Sequence, residues 1–150
     1  MEDLVDALLR TEEPELTVVE KNYRTAAEEI DILVSNGLSD PFWISLCSPL
    51  ILIECKNWQD KVGVPELRVF ESKITDRGAL CRVGIFVSMS GFTKPFIQRL
   101  RLFQNTGGII FAVEGVDLME VVASKVTLTN WLRSEGIRRS LGGFQSRDRS

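Results

Sequence analysis

Apolar and polar positions alternate along this chain in two periods, and the period changes as the chain proceeds. Met1 to Arg10 sets Leu4, Val5, Leu8 and Leu9 on one helical face, and Thr11-Glu-Glu-Pro14 ends that helix. Leu16 to Tyr23 and Glu29 to Ser35 read as strands, with Asn36-Gly37 as a turn signal after the second. A loop over residues 38–48 carries an apolar group that predicts a short strand at Phe42 to Leu46. Leu50 to Trp58 opens with an unbroken Ile/Leu run, the mark of a central strand covered on both faces. Helical spacing follows at Val64 to Thr75, started by Pro65 and closed near Gly78. Arg82 to Ser88 is a strand, and Thr93 caps a helix reaching to about Asn105 with Pro95 in its first turn. Ile109 to Val113 is a short strand, Val116 to Ser124 a helix, and Thr127 to Arg139 another. The Gly/Ser/Arg-rich stretch from Gly142 predicts a frayed, flexible tail over residues 142–150.

The order is one helix, a meander of strands, then alternating helices and strands. It predicts an α/β sandwich built on a mixed sheet, as a single domain over residues 1–141. No internal repeat, low-complexity block or linker interrupts it.

One strand ends oddly. Ile51-Leu-Ile-Glu54-Cys-Lys56 closes an apolar run with a carboxylate and an ammonium two residues apart. Side chains alternate faces along a strand, so Glu54 and Lys56 point the same way. A buried carboxylate beside a buried amine is costly unless the two pair or serve chemistry. A second acid, Asp31, lies in the similar run Glu29-Ile-Asp31-Ile-Leu-Val34. Two carboxylates and a lysine at strand ends suit a Mg²⁺ or Mn²⁺ site for phosphodiester hydrolysis. Asp31 and Glu54 supply carboxylate oxygens and the main-chain carbonyl of Cys55 a third ligand. Lys56 can orient or deprotonate water and offset phosphate charge. A second Glu-x-Lys, Glu71-Ser-Lys73, falls in a predicted helix, where residues two apart point about 200° apart. Only the strand copy has the geometry for a shared site.

Composition narrows the chemistry. The 150 residues contain no histidine, which removes Ser-His and Cys-His triads, His-ligated zinc and His acid–base catalysis. Hard oxygen ligands remain. Cys47, Cys55 and Cys81 form no C-x-x-C pair and read as buried small hydrophobes in a reducing, cytoplasmic setting. No apolar stretch is long enough to span a bilayer, and no secretory pattern opens the chain. The net charge of −3 hides an asymmetry. Residues 1–75 carry 7 Lys/Arg against 15 Asp/Glu, a balance of −8, whereas residues 76–150 carry 11 against 6, a balance of +5. Acids gather around the metal-site residues, and bases, Arg99, Arg101, Arg138 and Arg139 among them, gather where phosphates could be met.

Glu29-Ile-Asp31-Ile-Leu-Val34 followed by Leu50-Ile-Leu-Ile-Glu54-Cys-Lys56-Asn-Trp58 resembles the PD-(D/E)xK nuclease superfamily, and within it the Mrr-like (type IV restriction) endonuclease domain. The later segments agree in order: Val64-Pro-Glu-Leu-Arg-Val-Phe70, Val83-Gly-Ile-Phe-Val-Ser88, Ser90-Gly-Phe-Thr93, Gly108-Ile-Ile-Phe111 and Gly115-Val-Asp-Leu118. The resemblance runs from about Glu2 to Ala123. It implies a restriction-endonuclease-like α/β/α sandwich, a metal-dependent DNA endonuclease, and Asp31, Glu54 and Lys56 as the active-site positions. Many relatives place a glutamate on the first helix, which Glu2 would match. Glu28 and Glu29 stand where small residues often precede the family aspartate, and either could join the metal site. Double-strand cutting needs two active sites, which points to a homodimer, and Mrr-type enzymes usually carry a separate DNA-recognition domain, so target choice would lie in such a domain or a partner. The same triad serves Holliday-junction and repair nucleases, and a non-catalytic nucleic-acid-binding module could keep the fold. Trp43 and Trp58 could stack on bases or pack in the core, and Asn57 and Gln59 could bond water or phosphate.

Overall fold

The computed structural model describes residues 2–12, 14–24, 29–103 and 108–140. Helix α1 (Glu2–Arg10) precedes strands β1 (Leu16–Arg24) and β2 (Glu29–Asn36), short helix α2 (Pro41–Ser45) and strand β3 (Leu50–Lys56). Helix α3 (Val64–Thr75) leads to β4 (Cys81–Ser88), α4 (Lys94–Phe103) to β5 (Ile109–Glu114), and α5 (Gly115–Ser124) follows. The C-terminal segment is α6 (Leu128–Trp131), a π-helical turn over Leu132–Gly136, and α7 (Ile137–Ser140). The tail from Gly142 lies outside the described residues, as does Glu28, and the side chains of Glu2 and Arg139 are not described.

The five strands form one sheet in sequence order. β1–β2 and β2–β3 pair antiparallel; β3–β4 and β4–β5 pair parallel. This is the expected meander followed by crossovers, and β3 is its middle strand.

Strand alternation separates two cores. Ile30, Ile32, Val34, Ile51, Ile53, Cys55, Val83, Ile85, Val87, Phe111 and Val113 face one way. Val5, Leu8 and Leu9 of α1, Trp43 of α2, Leu118 and Val121 of α5, and Leu128 and Trp131 of α6 cover them. Leu33, Leu52, Phe86, Ile110 and Ala112 face the other way, beneath Leu67, Phe70 and Ile74 of α3 and Phe96, Leu100 and Phe103 of α4. The result is an α/β/α sandwich. Gly84 lets α3 sit close to the sheet, because a Cβ there would come 2.7 Å from Phe70 Cε2.

Two expectations fail. Phe42 to Leu46 is helical, not extended. The Asp40 side chain accepts from Phe42 N at 2.9 Å and Pro41 fits the first turn, so residues 40–41 make a helix start. The second concerns Cys47: Cys55 and Cys81 are buried, but Cys47 is exposed, in the turn that ends α2 with φ 52°. The helix expected over Thr127 to Arg139 is present, running without a gap from Leu128 to Ser140 behind the Thr127 cap, with a π-helical turn inside it where Gly136 packs against Phe111. Among the described residues no helix is long and apolar enough to cross a membrane.

Ser48 anchors the starts of β3 and β4. Its buried hydroxyl donates to the Leu50 carbonyl at 2.6 Å and accepts from Arg82 N at 2.8 Å and Val83 N at 3.1 Å. It sits beside the register shift between Leu50 and Ile51. Ser48→Ala leaves the buried amide of Val83, the part-buried amide of Arg82 and a carbonyl short of a partner, so it should lower stability by about 1–3 kcal/mol. Urea unfolding measures this, and an unchanged midpoint would contradict it.

Candidate active site

The charged ends of β2 and β3 meet in register. Asp31 lies directly opposite Glu54, and Glu29 directly opposite Lys56. All four belong to the face that carries Leu33 and Leu52, beneath α3, because strand side chains alternate. The sequence thus brings Asp31, Glu54 and Lys56 together, at the carboxyl end of the central strand. Cys55 points the other way, into the opposite core. Burial pushes its thiol up to about 12, with the charges of Glu54 and Asp31 adding to the effect, so it is an inert thiol.

Lys56 is tied down. Its ammonium donates to Glu29 Oε1 at 2.8 Å, lies 3.5 Å from Glu54 Oε2 and stands 4.5 Å above the Trp58 ring. Trp58 therefore carries a cation on its face, while Trp43 is a core residue that meets Phe42 edge-on and Phe111 at a tilt. Glu29 holds the lysine, a role that becomes visible only with the register of β2 against β3.

Lys73 is the residue that sequence reasoning missed. From α3 its ammonium donates to Glu54 Oε1 at 2.6 Å and to Asp31 Oδ2 at 3.3 Å. Its helical neighbour in the second Glu-x-Lys, Glu71, points away and takes a two-pronged bond from Arg99, at 3.1 and 2.8 Å. The two do not share a site, as helix geometry requires, but one of them enters the site alone. The available signal was position: Lys73 flanks the Leu67, Phe70, Ile74 stripe, where a long stem can lie along the core and present its charge beyond it. Arg24, at the end of β1, adds a further cation, 3.5 Å from Glu29 Oε2 and 4.0 Å from Asp31 Oδ2. Its side chain is 60% exposed.

Electrostatics follow from burial. Burial raises the Glu54 carboxyl above its ordinary value, against the opposing pull of Lys73. Burial alone would lower the Lys73 ammonium, but the hydrogen bond and charge of Glu54, helped by Asp31, leave it raised. The difference is depth: the Glu54 side chain is 2% exposed and the Lys73 side chain 28%. Asp31 Oδ1 is buried and accepts no hydrogen bond. Other candidates have structural duties. Arg138 pairs with Glu135 at 2.7 Å, and Thr93 Oγ1 accepts from Phe96 N at 3.2 Å as a helix cap. Arg101 is exposed.

The model of the Mrr catalytic-domain family, described as restriction endonuclease, matches residues 1–122. The chain belongs to this restriction endonuclease family. No curated protein matched it. Among solved structures it is similar to one described as the structure of EndoMS in apo form, at 13% identity and a TM-score of 0.45. That match covers 75% of this chain and 44% of the other, so the chain spans less than half of that structure's length. The match to the Mrr catalytic-domain model takes in β1 to β5 and most of α5, and with them all of the charged residues gathered between β2, β3 and α3.

Proposed function

We infer that the chain is a divalent-metal-dependent DNA endonuclease with Asp31, Glu54 and Lys56 as its active site. One observation carries this reading: two carboxylates stand directly opposite one another on paired strands, with Lys56 on the same face two residues beyond Glu54. Like charges directly opposite in a sheet are destabilising unless something cationic lies between them.

The donor set fits a hard divalent cation. Asp31 Oδ1 is a buried acceptor without a partner, and an ammonium already lies between Asp31 Oδ2 and Glu54 Oε1. Among the described residues no three His, Cys, Asp or Glu side chains form a cage. Mg²⁺ and Mn²⁺ are commonly held by one or two carboxylates, with water and substrate phosphate completing the shell. Asp31, Glu54 and the Cys55 main-chain carbonyl would hold the ion, which supplies positive charge at the phosphate and acidifies water.

The protein's own residues do the rest. Hydrolysis adds a water oxygen to phosphorus and breaks the bond to the leaving sugar oxygen, which takes up a proton. An ammonium held by Glu29 is a donor, so Lys56 orients water or a phosphate oxygen and offsets charge that grows in the transition state. Arg24, on the rim, is placed to meet a neighbouring phosphate. A second copy of the chain would supply the second cut in duplex DNA, and a separate domain or partner would choose the target.

Supercoiled plasmid incubated with Mg²⁺ or Mn²⁺ tests the reading. Nicking or linearisation that stops with a chelator is expected. Intact plasmid with both metals, whether methylated or unmethylated, together with no metal-dependent rise in melting temperature, would overturn it.

A further inference from the structure

The triad leaves Lys73 without a role, and its surroundings give it one. Its ammonium donates to Asp31 and Glu54, the two carboxylates read above as metal ligands. Lys56, by contrast, has a carboxylate of its own in Glu29, at 2.8 Å. The two lysines therefore differ in what a divalent ion would ask of them. Lys56 can stay where it is. Lys73 stands in the gap between the two acids.

That gap needs a cation in any state of the protein. Asp31 and Glu54 face each other across paired strands, and Glu54 is almost fully buried. Without a positive charge between them, two carboxylates in a poorly solvated site repel. An ammonium satisfies the electrostatics but not the coordination, since Asp31 Oδ1 is left without a partner. Lys73 is also free to leave. It projects from a helix on a flexible four-carbon stem, and its side chain keeps 28% of its exposure, so a rotamer change takes the charge to solvent without moving α3.

We propose that Lys73 is a tethered cation that fills the Asp31–Glu54 gap in the metal-free protein and is displaced when a divalent ion binds. This rests on the reading of Asp31 and Glu54 as metal ligands. Two consequences follow. The metal-free chain keeps its acids neutralised and its fold intact. Metal affinity is set below what the two carboxylates alone would give, because each ion that enters must break the Lys73 pairs.

Mn²⁺ titration of the full chain, followed by calorimetry and by the resonance of free Mn²⁺, tests this at fixed pH and salt. Lys73→Met keeps the apolar stem and removes the charge, and Lys73→Gln keeps a hydrogen-bond donor as well, in case the first variant folds poorly. Both should bind Mn²⁺ on the order of 10-fold tighter than wild type, a usual size for coupling between two mutually exclusive ligands. Both should also melt lower than wild type in chelator and recover when Mn²⁺ is added. Unchanged or weaker Mn²⁺ binding in both variants, with binding lost in Asp31→Asn, would overturn the role of Lys73 and leave the metal site standing. No Mn²⁺ binding in wild type or either Lys73 variant would overturn the metal site itself, and the displacement with it.

Discussion

Lys56→Ala is expected to lower plasmid cleavage by about 10²–10⁴-fold, the usual contribution of a positioned donor or acid–base group. The fold should survive. Lys56 is the last residue of β3 and contributes to neither apolar core. The loss of its ammonium does leave Glu29 and Glu54 with less countercharge, at 2.8 and 3.5 Å. Removing one partner of a buried ion pair commonly costs about 3–5 kcal/mol. Here Arg24, near Glu29, and Lys73, on Glu54, remain to share the acids' charge, so the cost should fall below that range. Lys56→Met keeps an apolar stem and separates packing from charge. If both variants give native circular dichroism and neither cuts, the ammonium is the active element. Cleavage at the wild-type rate in both would remove Lys56 from the site.

Asp31, Glu54 and Lys56 were legible in the sequence because a strand has a simple period. An acid in an apolar strand must either face solvent or stand inside for a reason, and the Ile/Leu run before Glu54 points to a central strand. The register that sets Asp31 against Glu54, and Glu29 against Lys56, was not legible. It depends on how β2 and β3 pair across the segment containing α2, where the sequence predicts a loop with a short strand and the Asp40 cap instead starts a helix. Lys73 was harder still. Its contact with the sheet exists because Gly84 lets α3 approach closely, a contact between elements that local periodicity does not encode. Helix geometry correctly separated Glu71 from Lys73, but separating a pair does not say where each member goes. Cys47 shows the same limit in small: its residue type favours burial, and a turn with φ 52° put it outside.

Phe86→Ala is expected to be the most destabilising single truncation under α3 and α4, costing about 3–5 kcal/mol. Phe86 is fully buried and central to its layer. Its ring meets Phe70 of α3 at 5.0 Å, Phe92 at 5.9 Å and Phe96 of α4 at 5.7 Å, each edge to face. Such a loss is a large part of the ~5–15 kcal/mol that holds a domain folded, so urea unfolding should show a clearly lower midpoint. The effect reaches the site as well. Phe86 is the register partner of Glu54 across β3 and β4, and it supports the helix that carries Lys73. A cavity there admits water beside Glu54 and weakens the burial that raises its carboxyl, so the carboxyl should titrate closer to its ordinary range. Phe86→Leu, which fills most of the space, should lose less of both. A loss of only about 1 kcal/mol in Phe86→Ala would mean that Phe70, Phe92 and Phe96 close over the gap, since the cost of a deletion depends on how far its surroundings collapse. Glu54 should then keep its raised value, because the same collapse that rescues stability keeps water out.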